Sequence, residues 1–438
     1  MIRVWIFVLG FMLGSQAVAA PVVQQKTLDN GLNILLIEAH NVPMVAMKLV
    51  VPAGSRFDAQ GKAGSAALLS AMLTDHTQKH DYQAWAAELD DAAIRLGSGV
   101  DKDTMSFSLT VLREALDEGV QALSEAVLQP GWQQKRFEFL QKNAISATTK
   151  AREEATTYAA EEVNKLLFPN HPYGHAVSGN VQSLKQIQLK DLKLMYQQQV
   201  RPDGAVLAVS GDITMDALLA ALKPYLNGWK GKPVHAFSDI KQPQPSTQQA
   251  SFVTLDKHQA LVEWVRLGPS RHHPDYKALL VLNHMLGGGG FGSRLMEEIR
   301  EKRGLVYGVY SFFQPLETNG AYTIRLLTKA DQAAEAEVVL RDVLQGLADG
   351  HISQEDLDKS KRNLVGGFAQ RMDSNRERAG LLAMMGVYKR PLDYLQNWTK
   401  SVSSVTLADV KRVAKQYLQP KDWKRVLVGP DVVQQQNK

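Results

Sequence analysis

Cysteine is absent from all 438 positions of the chain. That absence excludes disulfides, thiolate zinc sites, iron–sulfur clusters and a cysteine nucleophile together. A strong charge bias is missing too. Fifty lysines and arginines stand against 45 aspartates and glutamates, a net of +5, so composition gives no support to a nucleic-acid partner. Past the first twenty residues there is no apolar run near the roughly 20 residues needed to cross a bilayer. No Gly-x-Ser-x-Gly elbow occurs. What is there is an ordinary globular composition, 45% hydrophobic and 22% charged, which excludes a disordered or collagen-like chain. At roughly 100–200 residues per domain, the length predicts two or three domains.

The start of the chain stands apart. Arg3 precedes an apolar run from Val4 to Leu13, followed by Gly14-Ser-Gln-Ala17-Val-Ala19-Ala20. A basic start, an apolar core of about 7–15 residues and an A-x-A site form the pattern of a secretory signal peptide. Residues 1–19 are assigned to it, with cleavage after Ala19. The mature protein is expected to be exported, soluble and periplasmic, with no membrane span.

The rest reads as a duplication. Asp191-Leu-Lys-Leu-Met-Tyr-Gln-Gln-Gln-Val-Arg-Pro202 lies on Asp409-Val-Lys-Arg-Val-Ala-Lys-Gln-Tyr-Leu-Gln-Pro420, and at the same displacement Gly211 falls on Gly429. Each copy reads as a helix stopped by proline, a turn, and an apolar strand ending at glycine. Met44–Val51 and Ala260–Leu267 read as strands, each followed by a helix, Ala66–Leu73 and Tyr276–Leu286. Ser353 with Asp356 resembles a capping box. Behind it Leu357, Leu364, Val365, Phe368 and Met372 share one helical face. The proline-bearing, polar stretch 231–250 reads as a linker between a domain at 20–230 and another at 251–438. The expected fold is α+β: two homologous halves, each an antiparallel sheet with helices packed on it, arranged as a clamshell.

The most informative run is Leu286-Gly287-Gly-Gly-Gly290-Phe-Gly-Ser-Arg-Leu295-Met-Glu-Glu-Ile-Arg300-Glu-Lys-Arg-Gly-Leu305-Val-Tyr307. It resembles the C-terminal half of insulinase/pitrilysin-type zinc peptidases, in particular their mitochondrial-processing-peptidase-like branch. Ala53-Gly-Ser-Arg56, Gly61-Lys-Ala-Gly64, His171-Pro-Tyr-Gly174 and Gly211-Asp212 resemble landmarks of the same family. The resemblance covers essentially the whole mature chain.

That resemblance implies an inverted zinc motif, His-x-x-Glu-His, on the first helix after the glycine-bearing loop. The two histidine positions fall on Ala67 and Ala71, and the glutamate position on Ser70. None of these side chains can ligate zinc or act as a carboxylate base. The third ligand position is expected in the stretch holding Glu153, Glu154, Glu161 and Glu162. By the same resemblance, Arg300 and Tyr307 hold substrate backbone and stabilise an oxyanion. Gly288, Gly289 and Gly290 read as part of a flexible loop at the cleft, where extended peptide approaches the backbone. Read without the family, Glu298 with Lys302 and Glu297 with Arg300 form a solvated salt-bridge face.

The expectation is therefore a chain with no metal and no catalytic group of its own. It would bind peptide and complete the active site of an HxxEH-bearing partner that carries the zinc, in a heterodimer. Two alternatives stay open: a peptide-binding or scaffolding protein with no part in catalysis, and an independent zinc peptidase using His76 and His80. Those two histidines sit in the polar stretch Asp75–Asp81 and read as surface residues. His272-His273 reads as a loop pair, and His171 as part of a turn. Gly287-x-Gly289-x-x-Gly292 matches the dinucleotide fingerprint only formally, because a helix and not a strand precedes it.

Overall fold

The computed structural model describes residues 21–226 and 228–431. The assigned signal peptide, residues 1–19, lies outside the described residues. Among the described residues eleven strands form two sheets. The first half contributes β1 (Gln24–Thr27), β2 (Asn33–Glu38), β3 (Met44–Val51), β4 (Arg95–Val100), β5 (Met105–Leu112) and β6 (Val206–Gly211). The second contributes β7 (Ala250–Thr254), β8 (Gln259–Leu267), β9 (Val306–Phe313), β10 (Ala321–Lys329) and β11 (Lys424–Gly429).

The strand orders are β1-β2-β6-β3-β5-β4 and β7-β11-β8-β10-β9. Apart from the added β1, one order maps onto the other strand for strand. The displacement that lays Asp191 on Asp409 also lays Val206 on Lys424 and Gly211 on Gly429, the bounds of β6 and β11. The helices before these strands, Leu189–Gln199 and Leu407–Tyr417, both open with a capping box, closed by Asp191 and Asp409. The α+β architecture in two like halves is as expected, with one refinement. Each sheet holds a parallel pair, β2 with β6 and β7 with β11. The last strand of each half returns only after a long helical excursion, which gives the chain the length to re-enter in the same direction.

Burial follows from strand position. On β5, Met105, Phe107, Leu109 and Val111 are buried while Ser106, Ser108 and Thr110 are half-buried, the alternation of a sheet with unequal faces. All six residues of β6 are buried, because both faces of the sheet are covered there. The second cover is borrowed. The Asn375–Val387 helix of the second half packs on β2, β3 and β6, and the Ala155–Leu167 helix of the first half packs on β7, β8 and β11. Leu382, Ala383 and Met385 thus share a core with Leu35, Ile37, Val50, Val206 and Ala208. Val163, Leu166 and Leu167 share one with Leu261, Val265, Val426 and Val428. Gly386 is required at this contact, since a Cβ there would lie 2.5 Å from Val206. Each fully buried side chain of this size contributes roughly 1.5–3 kcal/mol, so each sheet has one face whose burial depends on the other half. The opposite face of the first sheet keeps a core of its own, with Met47, Leu69, Phe107 and Leu123.

A buried carboxylate marks the junction. Asp103, fully buried, accepts from Arg56 (3.0 Å) and the Tyr173 hydroxyl (2.5 Å) of the first half. From the second half it accepts the Glu317 backbone N–H (2.9 Å) and the Tyr388 hydroxyl (3.1 Å). Burial pushes both phenols up, which keeps them as donors. Arg56 also donates to the Phe237 carbonyl, and its guanidinium lies between the Phe57 and Phe237 rings at 4.6 and 4.7 Å. Two of the sequence landmarks are explained here. Gly54 packs where a Cβ would meet the Asp103 carbonyl carbon at 2.3 Å, and Gly174 where one would meet the Phe168 carbonyl oxygen at 2.3 Å.

Candidate functional site

The helix that the resemblance assigns to the zinc motif runs from Ser65 to Asp75. Gly64 caps it at φ +98°, and the Asp58 carboxylate accepts from the N–H groups of Gly64 (2.7 Å) and Ala66 (2.8 Å), the place of a missing capping side chain. Burial pushes Asp58 up to about 7, with those N–H groups pulling the other way.

Ala67, Ser70 and Ala71 turn toward β4 and line an open cavity of about 440 Å³ with Ser98, Gly99, Val100, Val177 and Ser178. The Ser98 hydroxyl donates to the Ser70 carbonyl (2.9 Å) and lies 3.2 Å from the Thr74 hydroxyl. The lining therefore offers methyl groups, backbone and hydroxyls, with neither an imidazole nor a carboxylate. That donor set does not fit zinc, which takes imidazole, thiolate or carboxylate ligands. β4 beside it is an edge strand reading Arg-Leu-Gly-Ser-Gly-Val. It has no proline, no bulge and no charge after Arg95, so its outer backbone is not blocked by the usual devices.

The glutamates proposed for the third ligand position do not reach this cavity. Glu153 and Glu154 are exposed between two helices. Glu161 pairs with Arg152 at 3.2 Å, and Glu162 with Lys165 and Ser251 at 2.5 Å, on the helix packed against the second sheet. Leu189–Gln199 and Leu116–Leu128 pack on Ser65–Asp75, and so does Gln134–Ala151. Its one carboxylate, Glu138, accepts from Gln134 at 2.9 Å.

His76 corrects the surface reading. It is fully buried, 2.9 Å from Asp75 through Nδ1, and it accepts the Gln133 N–H at 3.3 Å through Nε2. Asp75 in turn takes a forked pair of bonds from Arg136, at 2.8 and 2.5 Å. Burial raises the Asp75 carboxyl, but Arg136 and His76 outweigh it and hold it below the usual range. The segment through Gly131 closes over the imidazole, so closely that a Cβ there would lie 2.1 Å from it. A polar-looking sequence thus hides a histidine because both of its ring nitrogens find partners. His80 faces Glu88 (3.1 Å) and Glu125 (3.7 Å) instead, so the two histidines serve different partners. Among the described residues no group of three or more His, Asp or Glu is placed to hold a metal ion. His171 lies in a turn, bonded to the Lys241 carbonyl and the Tyr173 N–H.

In the second half, the helix Tyr276–Asn283 continues as a π-helical turn, His284–Gly288. Gly287 is buried there, and a Cβ would meet the Ser311 nitrogen of β9 at 2.5 Å. Gly288 and Gly289 finish the turn, and Gly290 leaves it at φ +63°. The glycines expected as a free loop are thus largely helical, small so that the helix end can lie on the strand. Phe291 follows, 68% exposed, with the Arg300 guanidinium 5.2 Å from its ring centroid. Arg300 itself stands on a second π-helical turn, Met296–Glu301. Glu298 pairs with Lys302 (2.7 Å) and Arg303 (2.9 Å), so the salt-bridge face exists beside Arg300 and leaves the Arg300 guanidinium to the ring.

Tyr307 owes its direction to a β-bulge. Leu327 pairs with Gly308 and Thr328 with Val306, so Tyr307 is the extra residue on β9. Val306 takes the core position, Thr328 donates to the Leu305 carbonyl (2.5 Å), and Tyr307 points out, 53% exposed. Tyr310, 50% exposed on the same edge strand, was not singled out from the sequence. Its signal would have been the break in alternation. The cavity over Ala67 is lined wholly by the first half, so Arg300 and Tyr307 lie outside it.

Known proteins resemble the chain over nearly its whole length. Residues 33–180 match the family described as insulinase (peptidase family M16), and residues 186–364 match the peptidase M16 inactive domain. The crystal structure of a peptidase M16 inactive domain from Pseudomonas fluorescens is 30% identical. It superposes with a TM-score of 0.88, over 93% of this chain and 98% of that one. Two Helicobacter pylori proteins are similar over 94% of this chain: the non-peptidase homolog YmxG, 24% identical over 95% of its length, and the zinc protease PqqE, 25% identical over 93%. Matched by these family models over most of its length and by the Pseudomonas fluorescens structure over nearly all of it, the chain belongs to the insulinase family of peptidases.

Proposed function

We propose that this chain is the non-zinc subunit of a periplasmic heterodimeric insulinase-like metallopeptidase. It binds substrate peptide and supplies Arg300 and Tyr307 to the active site of a homologous partner that carries the intact HxxEH motif and its zinc. The observation that carries this reading is the pairing of a lost donor set with a kept donor pair. Ala67 and Ala71 offer no metal ligand and Ser70 no carboxylate base, while a bulge turns Tyr307 outward on the strand that follows the Arg300 turn. A guanidinium and a phenol are donors suited to a peptide carbonyl and its developing oxyanion. Within this chain they act by holding and orienting the peptide; the bond cleavage belongs to the partner.

A second reading, peptide capture without catalysis, draws on a different observation. The open edge of β4 beside the neutral cavity over Ser70 suits an extended segment added to the sheet, one side chain filling the cavity. Reconstitution separates the two. The purified chain and its copurifying partner are assayed apart and mixed on unstructured peptides. Cleavage by the mixture alone supports the subunit reading, and full activity of the partner by itself removes it.

A further inference from the structure

A groove of about 1130 Å³ lies where the β1–β2 turn, the Met215–Leu226 helix and the chain leaving that helix meet. Lys26, Lys223, Lys230 and Lys232 line it, against two acids, Asp29 and Asp203. Lys232 lies 3.8 Å from Asp203, whereas among the described residues no carboxylate pairs with Lys26, Lys223 or Lys230. Lysines elsewhere on the surface do find partners: Lys62 with Asp191, Lys79 with Glu125, Lys302 with Glu297, all within 2.9 Å. The apolar part of the groove is Leu219, Leu222 and Leu226. Leu222 and Leu226 also border an adjoining apolar pocket closed by Trp229.

The walls are built. Asn30 donates to the Trp229 carbonyl (3.0 Å) and accepts the Leu32 N–H (3.1 Å), tying the turn to the chain beyond the helix. Gly31, at φ +92°, presses on Asp203, where a Cβ would lie 2.9 Å from its Cα. The cations thus converge from three chain segments over an apolar strip in which Leu219 and Leu226 are half-buried and Leu222 is buried between them. None of the lining residues is an exposed aromatic, so the stacking platform that single-stranded nucleic acid requires is missing.

We propose that this groove binds a single-chain anionic amphiphile, its headgroup among the four lysines and its alkyl chain along Leu219, Leu222 and Leu226. An ammonium is a hydrated point charge that accepts carboxylate, phosphate or sulfate alike, so the head is specified by charge and the tail by the leucines. The groove shares no lining residue with the cavity over Ala67, so the proposal stands apart from the peptide site.

The test is calorimetric titration of the full chain with dodecyl phosphate below its micelle concentration, with dodecyl maltoside and inorganic phosphate as the two comparisons. One saturable site for dodecyl phosphate is expected, at least tenfold tighter than for either comparison ligand. Charge reversal, Lys223→Glu with Lys230→Glu, should weaken it at least tenfold with the thermal midpoint unchanged. If that variant does not fold, Lys223→Ala with Lys230→Ala should still weaken binding severalfold. Equal binding of dodecyl maltoside, equal binding of inorganic phosphate, or indifference to both lysine variants would overturn the proposal.

Discussion

The helix after the first glycine-bearing loop ends differently in the two halves. In the first, Ser65–Asp75 closes onto a buried His76, sealed by Asp75, Arg136 and the segment through Gly131. In the second, Tyr276–Asn283 runs on through a π-helical turn into glycines, Phe291 and the Arg300 turn. The same strand order supports both. What differs is what each half leaves at its edge strand: a neutral cavity beside β4, and a bulge that exposes Tyr307 on β9. The scaffold is common to both halves, and the outward tyrosine stands on one edge strand only. The borrowed helices bind the two halves together, since each sheet is covered by a helix of the other half.

The largest effect is expected at the junction. Asp103→Ala leaves Arg56 buried without its carboxylate and strips four donors of their acceptor. It should cost about 3–5 kcal/mol in urea unfolding. A loss below about 1 kcal/mol would mean that the halves are held by their helices alone. Next, the same substitution should behave oppositely in the two halves. Gly287→Ala drives a Cβ against Ser311 and should cost about 1–3 kcal/mol. Gly97→Ala on β4 meets nothing within 4 Å and should stay within about 0.5 kcal/mol. Similar costs would erase the contrast drawn between the edges.

A cavity-filling change sharpens the role of the first half. Ala71→Trp should leave the thermal midpoint in place and weaken capture of an extended peptide about tenfold, read by fluorescence anisotropy. Unchanged capture would confine peptide binding to the second half. The smallest effect is one of pH. Burial lowers Lys102 to about 8, with Asp103 opposing, and its ammonium donates to the Tyr173 (2.5 Å) and His175 (3.1 Å) carbonyls. Between about 8 and the ordinary 10.5 the unfolded chain binds more protons, so the junction gains stability as pH rises through that window. Thermal midpoints from pH 7 to 10 should show this rise in the native chain and lose it in Lys102→Gln.

Much of the scaffold was legible from local pattern. The matched helices before β6 and β11, the strands Met44–Val51 and Ala260–Leu267, and the Ser353–Asp356 capping box all declare themselves within a dozen residues. What stayed hidden depends on long-range pairing. Asp103 carries no motif, and becomes the junction only when Arg56, Tyr173, Glu317 and Tyr388 arrive from distant segments. The parallel strand in each sheet and the exchange of helices between halves leave no periodicity to read. Buried His76 and the outward turn of Tyr307 needed, respectively, the Arg136–Asp75 pair and a one-residue bulge.

The central claim is that this chain gives Arg300 and Tyr307 to chemistry it cannot perform alone. The direct measurement is kcat and KM for peptide cleavage by the reconstituted pair, with native chain, Arg300→Ala and Tyr307→Phe compared at equal complex concentration. The account predicts that Tyr307→Phe lowers kcat by on the order of 10²–10³, that Arg300→Ala raises KM, and that both variants keep the complex intact by gel filtration. Native kcat and KM with both variants would contradict it and leave a protein that binds peptide without serving catalysis.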